Sequence, residues 1–484
     1  MRLTTDPRKY LAAAMPVMTL AAGCAAGPNY RQPDSASLTP TAYAVPDAAL
    51  GAAHFPGGPA KDVWWRAFSD PLLDELIAQS LRDNPDLAAA EARVREARAL
   101  ASVAGAERWP SLSATARAGR DKLSRNGENL ALIPFRPPTT EFSDYRAGFD
   151  ASWELDFAGH ARRTAEAAQA RADSSVESRN AARVVVAAEV AGSYIDYRVY
   201  AERLDLARRS ADSFAETERL TRLSEQAGLA STAERLRAEA DAASAQAVVP
   251  PLEAAGRAAL FRLAALSGEA AQTLAQRLAA PQPVPAPPEA VPVGLPAELL
   301  RRRPDVRRVE RELAAATADV GVAVAAQFPR LTLVGDFGWD SVHSGSLTAA
   351  ASQYWNAGPQ LSIPLFAGGR LRAQADAARA ARAAALASYR ATVLGAFADT
   401  ESALIRYANQ RRRSINLAST ERALESAVVL QQQRVAAGDA SRLELLAAER
   451  SLEQAADQRT EGSGQAALDF VALQKSLGGG WQRP

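Results

Sequence analysis

A single cysteine and three histidines (His54, His160 and His343) in 484 residues leave little material for chemistry. Cys24 has no second thiol with which to form an internal disulfide. No HExxH, GxSxG, P-loop or CxxC pattern occurs, and His160 and His343 fall at predicted element ends. An enzyme is therefore not expected, nor a metal site or cofactor. Charge of one sign is missing too: 56 basic and 55 acidic residues leave a net +1, which argues against a nucleic-acid partner. Aromatic residues make up only 6%, while alanine dominates the 48% hydrophobic fraction. Such a composition suits long, closely packed helices better than a thick globular core. The length exceeds one ordinary core, so several domains or an elongated body are expected.

The N-terminus carries an address. Arg2, Arg8 and Lys9 precede an apolar run from Tyr10 to Ala22, and Gly23-Cys24 follows. The run is too short to span a membrane and has the layout of a secretory signal over residues 1–23. A small residue before a cysteine resembles a bacterial lipobox, with Leu20 one place further back than usual. Cys24 is then the acylated mature N-terminus, and Ala25 after it favours the outer membrane.

The chain is written twice. Residues 81–119 and 300–338 align without a gap, so that Pro85-Asp86 meets Pro304-Asp305 and Trp109-Pro110 meets Phe328-Pro329. Further on, Phe157-Ala-Gly159 matches Phe366-Ala-Gly368, and Ala227-Gly-Leu-Ala-Ser231 matches Ala437-Gly-Asp-Ala-Ser441. The Pro-rich stretch 281–296 joins the copies. This divides the chain into a signal (1–23), a lipid-anchored extension (24–63), a first repeat (64–280), the linker, a second repeat (297–477) and a tail (478–484). Each copy predicts a helix after Pro-Asp (about 85–108 and 304–327), a strand pair (about 111–156 and 331–365) and a long helix (about 160–224 and 370–435). A return helix then runs to about 266 or 475. At 1.5 Å per residue the long helix spans roughly 95–100 Å, and the short helix and the return together about 90 Å. Two helices stacked end to end match one long one, which predicts a two-layered cylinder wall.

Between the helices the period changes to two. In YRAGFDASWELD (145–156), Tyr145, Ala147, Phe149, Ala151, Trp153 and Leu155 share one face, with polar residues and one glycine on the other. Phe337, Trp339 and Trp355 fall on apolar faces of the second strand pair. Strands apolar outside and charged inside fit a membrane barrel with lipid around it; the rival is a two-sheet sandwich in water. Four strands cannot close a barrel, since small barrels need about eight. A dimer, a trimer and a tetramer all remain open from period alone.

The chain resembles the TolC-like outer-membrane efflux proteins, in particular the OprM/NodT-type lipoproteins. The resemblance rests on Cys24-Ala-Ala-Gly-Pro-Asn-Tyr30, Gly294-Leu-Pro-Ala-Glu-Leu-Leu-Arg-Arg-Arg-Pro-Asp-Val306, Phe328-Pro-Arg-Leu331, Phe366-Ala-Gly-Gly369 and the run from Gly438 to Leu452. It implies mixed α and membrane β structure: a homotrimer with a twelve-stranded barrel, four strands per chain, joined to an α-helical periplasmic barrel. It implies a periplasmic adaptor and an inner-membrane pump, usually of the RND class, as partners in exporting small molecules. A conduit for type I protein secretion has the same fold, and a trimeric coiled-coil adhesin is the more distant rival. By the same resemblance the adaptor meets the tips at Ala227, Gly228, Ser231, Ala437, Gly438, Asp439 and Ser441. Leu443 matches an apolar constriction residue, Glu444 the first of two gate acids and Arg450 a nearby arginine, while Ala447 stands where the second acid is commonly aspartate.

Overall fold

The computed structural model describes residues 25–34, 43, 62–124, 139–294 and 296–481. The signal segment and Cys24 lie outside the described residues. After a 3-10 turn at Trp64–Phe68, α1 (Pro71–Asp83) and α2 (Pro85–Ala106) lead to β1 (Ser111–Lys122) and β2 (Glu141–Leu155). The first copy continues with α3 (His160–Gln226), α4 (Thr232–Ala247), α5 (Val249–Ser267) and α6 (Ala271–Arg277). The second copy runs α7 (Pro296–Arg302), α8 (Pro304–Ala325), β3 (Arg330–Ser341), β4 (Gln353–Ser362), α9 (Arg370–Ala436) and α10 (Arg442–Ser476). Both long helices have 67 residues, and both helices before the strands have 22, so the duplication extends to element length.

Two compact units cut across the copies. Of the described residues, one takes those within 1–32, 95–173 and 310–387; the other takes those within 33–94, 174–309 and 388–484. The first unit holds the sheet, antiparallel throughout, in the order β1-β2-β3-β4. Its middle pairing joins the two copies, with Phe149 opposite Phe337 and Gly148 opposite Gly338. At that pair the backbones come close: a Cβ on Gly338 would lie 2.6 Å from the Ala147 carbonyl oxygen and 2.9 Å from Gly148 Cα. The Tyr354 hydroxyl lies over both glycines, 3.2 Å and 3.0 Å from where their Cβ atoms would be.

The second unit holds the main apolar core. Phe470 packs edge-on to Trp64 and Phe68, with ring centres 6.0 Å and 5.2 Å away, and against Tyr407 at 5.9 Å. Asp70 caps α1, accepting from the backbone N–H of Leu72 and Leu73, and also accepts the Tyr194 hydroxyl at 2.6 Å. Arg198 stacks over that tyrosine 5.1 Å from the ring centre. Burial, together with the Asp70 bond, pushes the Tyr194 hydroxyl up to about 12, so the phenol stays a donor.

The structure departs from the sequence reading in one place. The first return is not one helix: α4 ends at Ala247 and α5 begins at Val249, with Pro250 and Pro251 in its opening turn. Neither proline has an N–H to bond back to the preceding turn, so the ladder is interrupted there. In the tail, residues 478–481 are buried. Trp481 donates its Nε1–H to the Arg302 carbonyl at 3.0 Å and lies under the Arg307 guanidinium.

The close approach at the glycine pair yields a test. Gly338→Ala must displace backbone, an overpacking cost of about 1–3 kcal/mol. Gly358→Ala meets nothing within 4 Å among the described residues and should be silent. Thermal unfolding of the two variants, compared with the parent, checks this; equal midpoints would show that the sheet yields at Gly338.

Candidate functional site: sheet faces and hairpin tips

The register sorts side chains onto two faces. Ala114, Phe149, Phe337 and Trp355 lie opposite one another across all four strands, so they share a face. Trp355 is 76% exposed, Phe149 48%, Phe337 43% and Trp153 37%. Aromatics this open on one sheet face are not covered by a core among the described residues. Tyr145 and Trp339 on the same face are half-buried, and Phe337 meets Trp339 edge-on at 5.2 Å. Trp153 anchors its indole N–H to the Arg108 carbonyl at 3.0 Å.

The other face is polar and self-paired. Arg146 meets Asp340 at 2.7 Å across the join between copies and stacks over Tyr354. Thr115 donates to Asp150, and Asn356 donates to Asp336. Arg117 reaches both Asp121 and Asp144. This is the surface that water would wet. Among the described residues no helix is long and apolar enough to cross a membrane, and no group of acids, histidines and cysteines could hold a metal ion.

The two hairpin tips have one design. α3 ends at a glycine in the left-handed region, Gly228 at φ +75°, and α9 ends likewise at Gly438 with φ +81°. The next residue closes the turn by donating back to the helix: Leu229 N–H to the Ser224 carbonyl at 2.8 Å, and Asp439 N–H to that of Arg434 at 2.9 Å. Ser231 and Ser441 then cap the returning helices. Each hydroxyl oxygen accepts the N–H of a glutamate three residues on, Glu234 or Glu444, at 3.2 Å. Each glutamate accepts the serine N–H in return, at 2.7 Å. The serine backbone N–H, with the hydroxyl, holds both carboxyl groups below the ordinary value of 4.5.

The residues matched to a gate are thus only partly together. Leu443, 37% exposed, and Glu444 sit in the first turn of α10, with Ala447 one turn on. Arg450 packs against α3 instead, donating to the Thr217 hydroxyl at 2.8 Å with its guanidinium 4.6 Å from the Phe214 ring centre. It lines a cavity of about 690 Å³ with Arg203, Leu252, Glu453 and Asp457, where burial raises the Glu453 carboxyl. The capping role of Glu444 was not among the sequence expectations, although Ser231-x-x-Glu234 and Ser441-x-x-Glu444 carry its signature.

Residues just after Cys24 are held in a built seat. Arg163, with its side chain only 5% exposed, donates to Asn29 Oδ1 at 2.6 Å and to the Ala26 carbonyl at 3.3 Å. Ala26 N–H bonds to the Ala158 carbonyl, and Tyr30 donates its hydroxyl to Glu310. Gly27 at φ +84° passes Gly321 so closely that a Cβ would lie 2.5 Å from its Cα.

The chain matches the outer membrane efflux protein family over residues 76–269 and 295–479. It is 36% identical over 427 residues, 87% of each chain, to the pyoverdine export outer membrane protein OpmQ of Pseudomonas aeruginosa. It is 32% identical to nodulation protein T of Rhizobium leguminosarum bv. viciae over 484 residues, covering 98% of this chain and 94% of that one. Among solved structures, the outer-membrane channel OprN superposes with a TM-score of 0.84 at 34% identity, over 95% of this chain and 100% of the other.

The depressed glutamates set a pH dependence. A carboxyl lowered by folding contributes stability that is complete above 4.5 and lost as pH falls through the folded-state value. Protection of the Ser231 and Ser441 amides against hydrogen exchange is expected to hold above pH 4.5 and to fall as the pH is lowered below it. Protection that holds through that descent would mean that the carboxylates do not carry the caps.

Proposed function

This chain belongs to the outer membrane efflux protein family, and we propose that three copies close a single twelve-stranded barrel around a common lumen. The family makes it the outer-membrane channel component of an efflux system, a transport protein. The observation that carries the proposal is the open sheet: β1 and β4 are outer strands with no further partner among the described residues. In hydrocarbon an unpaired strand edge is not tolerated, so β4 of one copy pairs with β1 of the next until the ring closes. The apolar face of Phe149, Trp153, Phe337, Trp339 and Trp355 then meets lipid, and the Arg146–Asp340 face meets the water through which solutes pass. The relatives include proteins named for pyoverdine export and toluene efflux, which supports small molecules as cargo.

The remaining parts follow from the family likeness. Acyl chains on Cys24 add a second anchor beside the barrel. The tips at Gly228 and Gly438 meet a periplasmic adaptor, which couples the channel to an inner-membrane pump of the RND class. Leu443 and Glu444, repeated three times about the axis, form the constriction, and with Ala447 in place of a second acid its charge rests on Glu444.

Two experiments test this reading. Phe149→Arg on the lipid face should cost roughly 2–4 kcal/mol, and Ser152→Arg on the lumen face little. Equal loss of folded trimer on semi-native gels would refute the assigned faces. For the constriction, Glu444→Ala should lower cation preference in bilayer recordings, most strongly at low salt. Glu234→Ala removes the same cap from the other hairpin and serves as the control. Matching selectivity in the two variants would place the constriction elsewhere.

A further inference from the structure

The two tips share a backbone but not a chemistry. Ala227-Gly-Leu-Ala-Ser231 and Ala437-Gly-Asp-Ala-Ser441 adopt the same left-handed glycine, the same turn bond and the same capping box. Among the described residues nothing lies within 4 Å of a Cβ placed at either glycine. The five-residue turns differ at one position. Leu229 projects from the first tip at 83% exposure, and Asp439, also exposed, takes its place on the second. The bracing beneath is inverted as well. Arg235 ties α4 back to Glu225 at 2.9 Å in the first hairpin, whereas the matching Leu445 in the second is buried, 5% exposed. An apolar knob therefore stands above an ionic brace, and a charged knob above an apolar one.

We propose that these tips select an adaptor whose tip-binding socket has an apolar floor and a basic rim. The inference rests on the reading of the tips as the adaptor site. Each chain offers one tip of each kind, so an adaptor present in identical copies around the ring meets both with one surface. A purely apolar socket would bury the Asp439 carboxylate without a partner, which is strongly unfavourable. A purely polar one would leave Leu229 in water, although a large side chain so placed is the natural anchor for a pocket. A socket with both features accepts either tip: Leu229 fills the floor, and Asp439 pairs with the rim.

The test uses the full-length channel in detergent and a purified periplasmic adaptor that restores efflux with it in a host lacking its own channel. Photo-crosslinkers at Ala227 and Ala437 establish whether the tips meet that adaptor. Leu229→Asn, which neither fills the floor nor carries a charge for the rim, should weaken binding about tenfold. Asp439→Asn should weaken it about threefold at low salt and flatten its salt dependence. Neither change touches the turn bonds, and an unchanged melting temperature confirms that folding is intact. Crosslinks at both tips with parental affinity in either variant would overturn the mixed socket and leave the tip reading standing. No crosslink at either position would overturn both.

Discussion

Backbone pairing in the sheet is the constraint on which the rest of this molecule depends. A strand in a bilayer has no water to satisfy its N–H and C=O groups, and four strands leave two edges that one chain cannot join to each other. The edges of β1 and β4 thus commit the chain to identical neighbours. Rotational symmetry follows from that need, and with it the repetition of every exposed feature around an axis. The alternation of aromatic and charged residues only has a consequence once the ring closes, because closure is what separates lipid from lumen.

Within the chain the same pairing binds the two copies together. β2 and β3 lie far apart in sequence yet form the centre of the sheet, with Arg146 and Asp340 bridging the join. Glycine is required there by close approach, as the carbonyl of Ala147 beside Gly338 makes plain. The duplicated unit is consequently not a folding domain. The two compact units each draw residues from both copies.

The helical hairpins obey a local logic instead. Their turns are closed by bonds within about a dozen residues, so the two copies reproduce them despite wide differences elsewhere. Glu444 bonds to the Ser441 turn, and Glu234 bonds in the same way to the Ser231 turn. The gate role proposed for Glu444 would add to that local duty, and the twin residue separates the two.

Short-range patterns were open to reading from the amino acids alone. Period two assigned Phe149 and Trp153 to one face, Ala-Gly followed by Ser marked both tips, and Cys24 behind an apolar run marked export. Each depends on neighbours a few residues away, where backbone geometry dictates the outcome. The break at Val248 was also legible, in Pro250-Pro251, but helical periodicity on either side hid it. Other features needed the fold. That Phe149 stands opposite Phe337, that Arg163 holds Asn29, and that Trp481 is buried against Arg302 all join residues more than a hundred positions apart. No local pattern encodes such partners, because a period fixes which face a side chain takes and leaves the register free until two surfaces pack.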